Sequence, residues 1–127
     1  MLQYSGLGEV IGDAVSSANL PIVVVAFVVA ALVRISVGSS TVAMTMAAGI
    51  VAALPGIAEL SPLYLACTTA AVAGGATVCS HFNDSGFWLV KSLVGMDEKT
   101  TLKTWTIMET LVGVTGFIVA LIISMFA

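Results

Sequence analysis

Four polar side chains within five residues are the part of this chain best suited to chemistry. His81, Asn83, Asp84 and Ser85 stand in a sequence that is otherwise strongly apolar and has no other histidine. Asn83 and Ser85 can hydrogen-bond the hydroxyl groups of a ligand, and His81 or Asp84 can carry a proton. The alternative is that Asn83, Asp84 or Ser85 only caps the start of the helix that follows.

A second polar group lies at Ser39, Ser40 and Thr41, directly after Gly38. A helix that begins there presents unpaired backbone N–H groups and the positive end of its dipole. These features suit the carboxylate of an anionic ligand. The alternative is that the hydroxyl groups only satisfy the helix end or promote helix packing.

Two isolated charged residues flank these groups. Arg34 precedes the Ser-rich turn, and it either extends from a short helix to the membrane interface or supplies a counter-charge to an anionic ligand. Glu109 lies about one turn into the last apolar segment, where we favour a role at the interface over one in proton relay.

The composition places the chain in a lipid bilayer. Hydrophobic residues make up 59% and charged residues 9%, whereas soluble domains carry about 25% charged residues. The four cationic residues are too scattered for a nucleic-acid partner, and no nucleophile–base pair suggests an enzyme. Cys67 and Cys79 lack the spacing of a metal or redox motif, so we expect free buried thiols, no metal and no cofactor.

The first half of the chain predicts short helices. Residues 1–18 are amphipathic and fit an interfacial or lead-in helix. Residues 20–54 form a candidate re-entrant hairpin, because the apolar run 20–33 covers only about 21 Å of a bilayer core of about 30 Å. One long helix would measure about 52 Å, too long for a single span. Two full spans with a tight loop are the remaining alternative.

The second half predicts a broken transmembrane helix over residues 62–95. Gly74 and Gly75 begin the interruption, which lasts until the helix resumes near Gly86. A hydrophilic loop follows, and residues 104–126 are long enough for a C-terminal transmembrane helix. The fold class is therefore an all-α membrane protein with a re-entrant helical hairpin and a broken helix.

Three motifs carry a resemblance to a known family. They are GSSTVAMTMAAGI (38–50), SHFNDSGFWLVK (80–91) and TLKTWTIMETLVGVTGF (101–117). With them the chain resembles the C-terminal part of the gluconate permease family of proton-coupled sugar-acid symporters, in the ion-transporter superfamily.

The resemblance implies a multi-pass carrier of the cell inner membrane that imports gluconate or a related aldonate with a proton. It also implies a fold of two inverted repeats, of which the hairpin and the broken helix form one partial repeat. Their tips would meet at the substrate, with a proton on His81 or Asp84 and Arg34 as charge partner. The substrate-binding residues would be Ser39, Ser40, Thr41, Asn83, Asp84 and Ser85.

Permeases of this family are several times longer than this chain. The chain is then a fragment or truncated product, one piece of a split transporter, or a half that pairs with a second copy of itself. Its partner is accordingly the missing transporter half or a homo-oligomer. The alternative of a different class is a small membrane scaffold or accessory subunit without transport of its own.

Overall fold

The computed structural model describes residues 20–127, so the predicted lead-in helix 1–18 lies outside the described part. Within residues 20–127 all regular structure is helical. In chain order the helices are α1 (Ile22–Val37), α2 (Ser40–Ala52), α3 (Pro62–Gly75), α4 (Ser85–Val94) and α5 (Glu98–Ser124). A 3₁₀ turn, Ile57–Glu59, lies between α2 and α3.

Two residues, Gly38 and Ser39, separate α1 from α2, which pack against each other. Gly38 adopts a φ of 78° and its N–H donates to the carbonyl of Arg34 at 2.8 Å, which ends α1. Ser39 then caps α2 by accepting the N–H of Val42 at 3.4 Å. The two helices are about 24 Å and 20 Å long, so the sequence correctly predicted two short apolar helices around a polar turn.

Helices α1, α3 and α5 pack into one core through small side chains. Gly74 and Gly113 bring α3 and α5 together, since a Cβ added at Gly74 would lie 2.7 Å from the carbonyl oxygen of Gly113. Phe27 of α1 stacks on Phe117 of α5 with ring centroids 4.2 Å apart. Fully buried alanines complete the contact surface, among them Ala26, Ala30 and Ala71, and Ala43 and Ala47 of α2 join the same core.

The predicted interruption at Gly74 and Gly75 is wrong at its first two residues. Both glycines belong to α3, and Ala76 caps the helix. A Cβ at Gly75 would lie 2.9 Å from that of Ala30, so these glycines serve the close approach of helices and not a bend. The irregular segment is therefore shorter than predicted and runs over residues 76–84.

Helix α5 begins at Glu98, six residues before the predicted start at 104. Asp97 caps it by accepting the N–H of Thr100 at 3.0 Å, which converts most of the hydrophilic loop into helix. A π-helical segment, Leu102–Thr106, interrupts its regular winding. Among the described residues α5 is the one helix long and apolar enough to cross a membrane.

Candidate functional site

The irregular segment 76–84, called the break from here on, is fastened to the middle of α5. Cys79 has a positive φ of 57°, and its N–H donates to Thr110 Oγ1 at 3.1 Å. The hydroxyl of Thr106 donates to the carbonyl of Ser80. These two bonds fix the break to α5 at the last residue of the π-helical segment, Thr106, and one turn beyond it, at Thr110.

Ser80 connects the break to a buried network that the sequence did not predict. Its side chain is fully buried; Trp105 Nε1 donates to Ser80 Oγ at 3.0 Å, and the Ser80 hydroxyl donates to Asp84 Oδ2. The sequence carried no local signal for this contact, because the two residues lie 25 positions apart.

Asp84 caps the start of α4, which is one of the two roles that the sequence predicted for it. Its Oδ1 accepts the N–H of Gly86 at 3.0 Å, and its Oδ2 lies 2.5 Å from a terminal nitrogen of Arg34. The side chain of Asp84 is only 11% exposed. Cap and ion pair thus occupy the two carboxylate oxygens, and Asp84 joins the start of α4 to the end of α1.

Arg34 lies at the centre of a buried charge cluster, defined here as Arg34, Asp84 and Glu109. The Arg34 side chain is 1% exposed, so the expectation that it extends to the membrane interface is wrong. Its second terminal nitrogen donates to the carbonyl of Gly38 at 2.5 Å. Within the described residues its Nε has no hydrogen-bond partner.

Glu109 is the third member of the cluster. Its Oε2 lies 3.6 Å from the Arg34 terminal nitrogen that also binds Asp84, and its side chain is 20% exposed. From the sequence we favoured a role for Glu109 at the membrane interface, but its carboxylate instead lies beside the buried guanidinium of Arg34. One guanidinium cation therefore faces two carboxylates, one from the break and one from α5.

The two predicted binding groups meet at the start of α2 and α4. Asn83 Nδ2 donates to the carbonyl of Ile35 at 2.8 Å, and a Cβ on Gly38 would lie 2.6 Å from Asn83 Cγ. The N-termini of two helices are thus neighbours. Besides the buried Asp84, five candidate binding residues were predicted. Ser39 and Ser40 are half-buried, and Thr41, Asn83 and Ser85 are exposed.

His81 contacts its own segment, the break, through its ring. Its Nδ1 lies 2.8 Å from the carbonyl oxygen of Cys79, and its ring is half-buried. Phe87 is fully buried beside Phe82 and Trp88, and Trp88 Nε1 donates to the carbonyl of Phe82 at 2.8 Å. The aromatic residues around the break therefore act in packing.

Cys67 is buried and Cys79 half-buried, and both are free thiols. Within residues 20–127 no group of three or more His, Cys, Asp or Glu side chains is placed to hold a metal ion.

Comparisons of the sequence with known proteins place the chain in a family. A family model described as GntP family permease matches residues 1–126. The low-affinity gluconate transporter of Escherichia coli (strain K12) is 47% identical over 124 residues, which cover 96% of this chain and 27% of that protein. The gluconate permease of Pseudomonas aeruginosa is 41% identical over 125 residues, which cover 98% of this chain and 27% of that protein.

The Gnt-II system L-idonate transporter of Escherichia coli (strain K12) is 37% identical over 124 residues, covering 98% of this chain and 28% of that protein. No solved structure matches the chain. The chain spans little more than a quarter of the length of these relatives. Because the family model matches nearly every residue, the chain belongs to the GntP permease family.

Proposed function

We propose that this chain is the C-terminal module of a proton-coupled symporter for gluconate or related aldonates in the cell inner membrane. The relatives named above are transporters and permeases of gluconate and L-idonate. The observation that carries the proposal is the meeting of two helix N-termini, those of α2 and α4, beside a buried charge cluster. Positive helix ends of this kind are how broken-helix transporters hold anionic groups.

The substrate carboxylate is proposed to bind at the start of α2. The backbone N–H groups of Ser40 and Thr41 belong to the first helical turn, whose N–H groups have no partner within the helix. Asn83 and Ser85 are exposed next to this turn and are proposed to hydrogen-bond the hydroxyl groups of the sugar acid.

Ser39 is proposed to act through its cap, which fixes the direction of the α2 N–H groups. Arg34 and Asp84 are proposed to act from behind the binding residues. The terminal nitrogens of Arg34 already bind Gly38 and Asp84, so Arg34 contributes positive potential at the turn and not a direct ligand contact. For coupling, the candidates predicted from the sequence are His81 and Asp84. Of these two residues, Asp84 is the one that belongs to the charge cluster.

The proposed topology follows from helix length. Helices α1 and α2, at about 24 Å and 20 Å, are shorter than a bilayer core of about 30 Å. We propose that they form a re-entrant hairpin, that α3, the break and α4 form a broken transmembrane helix, and that together they are part of one inverted repeat. Alternating access would then move the binding residues between the two sides of the membrane.

The remaining three quarters of the permease length is proposed to complete the substrate site. It is supplied by the same polypeptide, by a separate chain, or by a second copy of this chain in the opposite orientation. Many large apolar side chains of α5 are exposed in the described structure, including Leu111 and Val112 at 62% each. Such a face fits lipid or the apolar surface of the completing half.

The test is ligand-dependent thermal stabilisation of the native gene product that carries this chain, purified in detergent. Gluconate at about 100 times its dissociation constant should stabilise the folded state by about 2.7 kcal/mol. Glucose, which has the hydroxyl groups but no carboxylate, should give no shift. Asn83→Ala and Ser85→Ala should lose the gluconate shift. Ser92→Ala should keep it, because among residues 20–127 the Ser92 hydroxyl bonds only the carbonyl of Trp88 in its own helix.

Equal shifts with gluconate and glucose would refute carboxylate recognition at the helix ends. The absence of any gluconate shift in the wild-type protein would refute the transport function. That result would favour the alternative of a membrane scaffold or accessory subunit without transport of its own, in which packing residues such as Gly113 matter more than Asn83.

A further inference from the structure

The charge cluster contains one more carboxylate than it can balance. Arg34 carries one positive charge, and Asp84 and Glu109 carry two negative charges when both are ionised. All three side chains are at most 20% exposed. A single proton shared between the two carboxylates makes the net charge of the cluster zero. This neutral state is favoured because an unbalanced charge is costly away from water.

The contacts differ strongly between the two carboxylates. Asp84 accepts from three donors: the guanidinium of Arg34, the hydroxyl of Ser80 and the N–H of Gly86. Such donors favour the ionised form of a carboxylate. Glu109 lies 3.6 Å from the guanidinium, and within residues 20–127 its carboxylate accepts no hydrogen bond. The proton of the cluster therefore belongs on Glu109.

Other charged and titratable groups around Glu109 do not change this balance. Arg34 faces it from α1, and Asp84 faces it from the break. Helix α3, which packs against α5, contains no charged residue. His81, also in the break, has its Nδ1 beside the carbonyl oxygen of Cys79.

Two features next to Glu109 suit a group that changes state. The π-helical segment Leu102–Thr106 ends three residues before it, and π-helical turns within α-helices frequently occur at functional sites. The buried Nε of Arg34 has no partner among the described residues, so the guanidinium keeps an unused donor inside the cluster. An ionised Glu109 would gain a contact there that a protonated Glu109 does not need.

We propose that Glu109, and not His81 or Asp84, carries the proton that is exchanged during the transport cycle. This proposal rests on the proposed symport function. The proton binds a carboxylate oxygen of Glu109 on one side of the membrane and leaves it on the other. Loss of the proton makes Glu109 a second anionic partner for Arg34, in competition with Asp84.

The test compares two activities of the native gene product in proteoliposomes. Uphill gluconate accumulation driven by a proton gradient needs proton exchange, whereas gluconate counterflow at equal pH does not. We expect Glu109→Gln to lose uphill accumulation and keep counterflow, with a gluconate affinity that no longer changes with pH. Glu109→Asp keeps a titratable group and should retain some accumulation. Glu98→Gln, at an exposed position of the same helix, should keep both activities.

Wild-type accumulation in Glu109→Gln would overturn the proposal and leave the symport function standing. Loss of both activities in Glu109→Gln and equally in Glu109→Asp would overturn it as well, since the carboxylate would then be structural. Failure of the wild-type protein to catalyse gluconate counterflow would refute the proposed function, and this proposal with it.

Discussion

Replacement of Arg34 by methionine should be the most destabilising single change in the charge cluster. At an effective dielectric constant of about 20, the Arg34–Asp84 contact of 2.5 Å corresponds to a gross attraction of about 6–7 kcal/mol, and the Glu109 contact of 3.6 Å would correspond to about 4–5 kcal/mol once Glu109 has lost its proton. Desolvation offsets much of this attraction. Loss of one partner from a buried pair usually costs about 3–5 kcal/mol.

The cluster predicts an asymmetry between its members. Arg34→Met leaves the buried Asp84 carboxylate with no cation, so we expect a loss near 3–5 kcal/mol. Asp84→Asn leaves Arg34 with Glu109 at 3.6 Å and should cost about 1.5–3 kcal/mol, the range for a hydrogen bond to a charged group. Thermal and denaturant unfolding of the native gene product in detergent measures both.

The matched control is the pair Lys91–Glu98. Its nitrogen–oxygen distance is 2.8 Å, close to that of the buried pair, but its side chains are 25% and 51% exposed. Lys91→Met should therefore leave the unfolding midpoint almost unchanged. The destabilisation in Arg34→Met should shrink at acidic pH, where Asp84 also takes up a proton. A loss in Arg34→Met no larger than that in Asp84→Asn would refute the reasoning.

Two further predictions concern the fold around the cluster. Gly113→Ala should destabilise the protein by about 1–3 kcal/mol, because the added Cβ meets the Gly74 carbonyl, whereas Gly116→Ala on the same helix meets open space and should be neutral or stabilising in thermal unfolding. The Thr100 hydrogen bonds hold the pKa of Asp97 below its ordinary value, so its cap stabilises α5 at neutral pH and is lost as the pH falls through the lowered pKa. Hydrogen exchange at the start of α5 should therefore quicken in strong acid for the wild type and not for Asp97→Asn.

Local chemistry made several helix ends predictable. Pro62 opens α3, the turn at Gly38 and Ser39 separates α1 from α2, and Asp84 was among the candidates for the cap of α4. Each signal lies within a few residues of its effect. Where a non-local contact decides, the same reasoning failed: glycines that usually break helices lie inside α3, because α1 and α5 approach too closely for larger side chains.

The charge cluster could not be predicted for the same physical reason. Arg34 and Asp84 are 50 positions apart, and Ser80 and Trp105 are 25 apart. The sequence singled out Arg34 and Asp84 as unusual charges in apolar surroundings but contained nothing that paired them. It placed Glu109 at the interface because position along a helix is readable from sequence, while the partner facing that helix is not.

The cluster also explains how a change at one helix could reach the proposed binding residues. The guanidinium of Arg34 contacts three separate elements: the carbonyl of Gly38 at the turn before α2, the carboxylate of Asp84 at the start of α4, and Glu109 on α5. A second anionic partner at Glu109 would draw the guanidinium away from Asp84. The guanidinium contacts the residues before both helix N-termini, so a proton gained or lost on α5 would alter the two ends of the proposed binding site through one side chain.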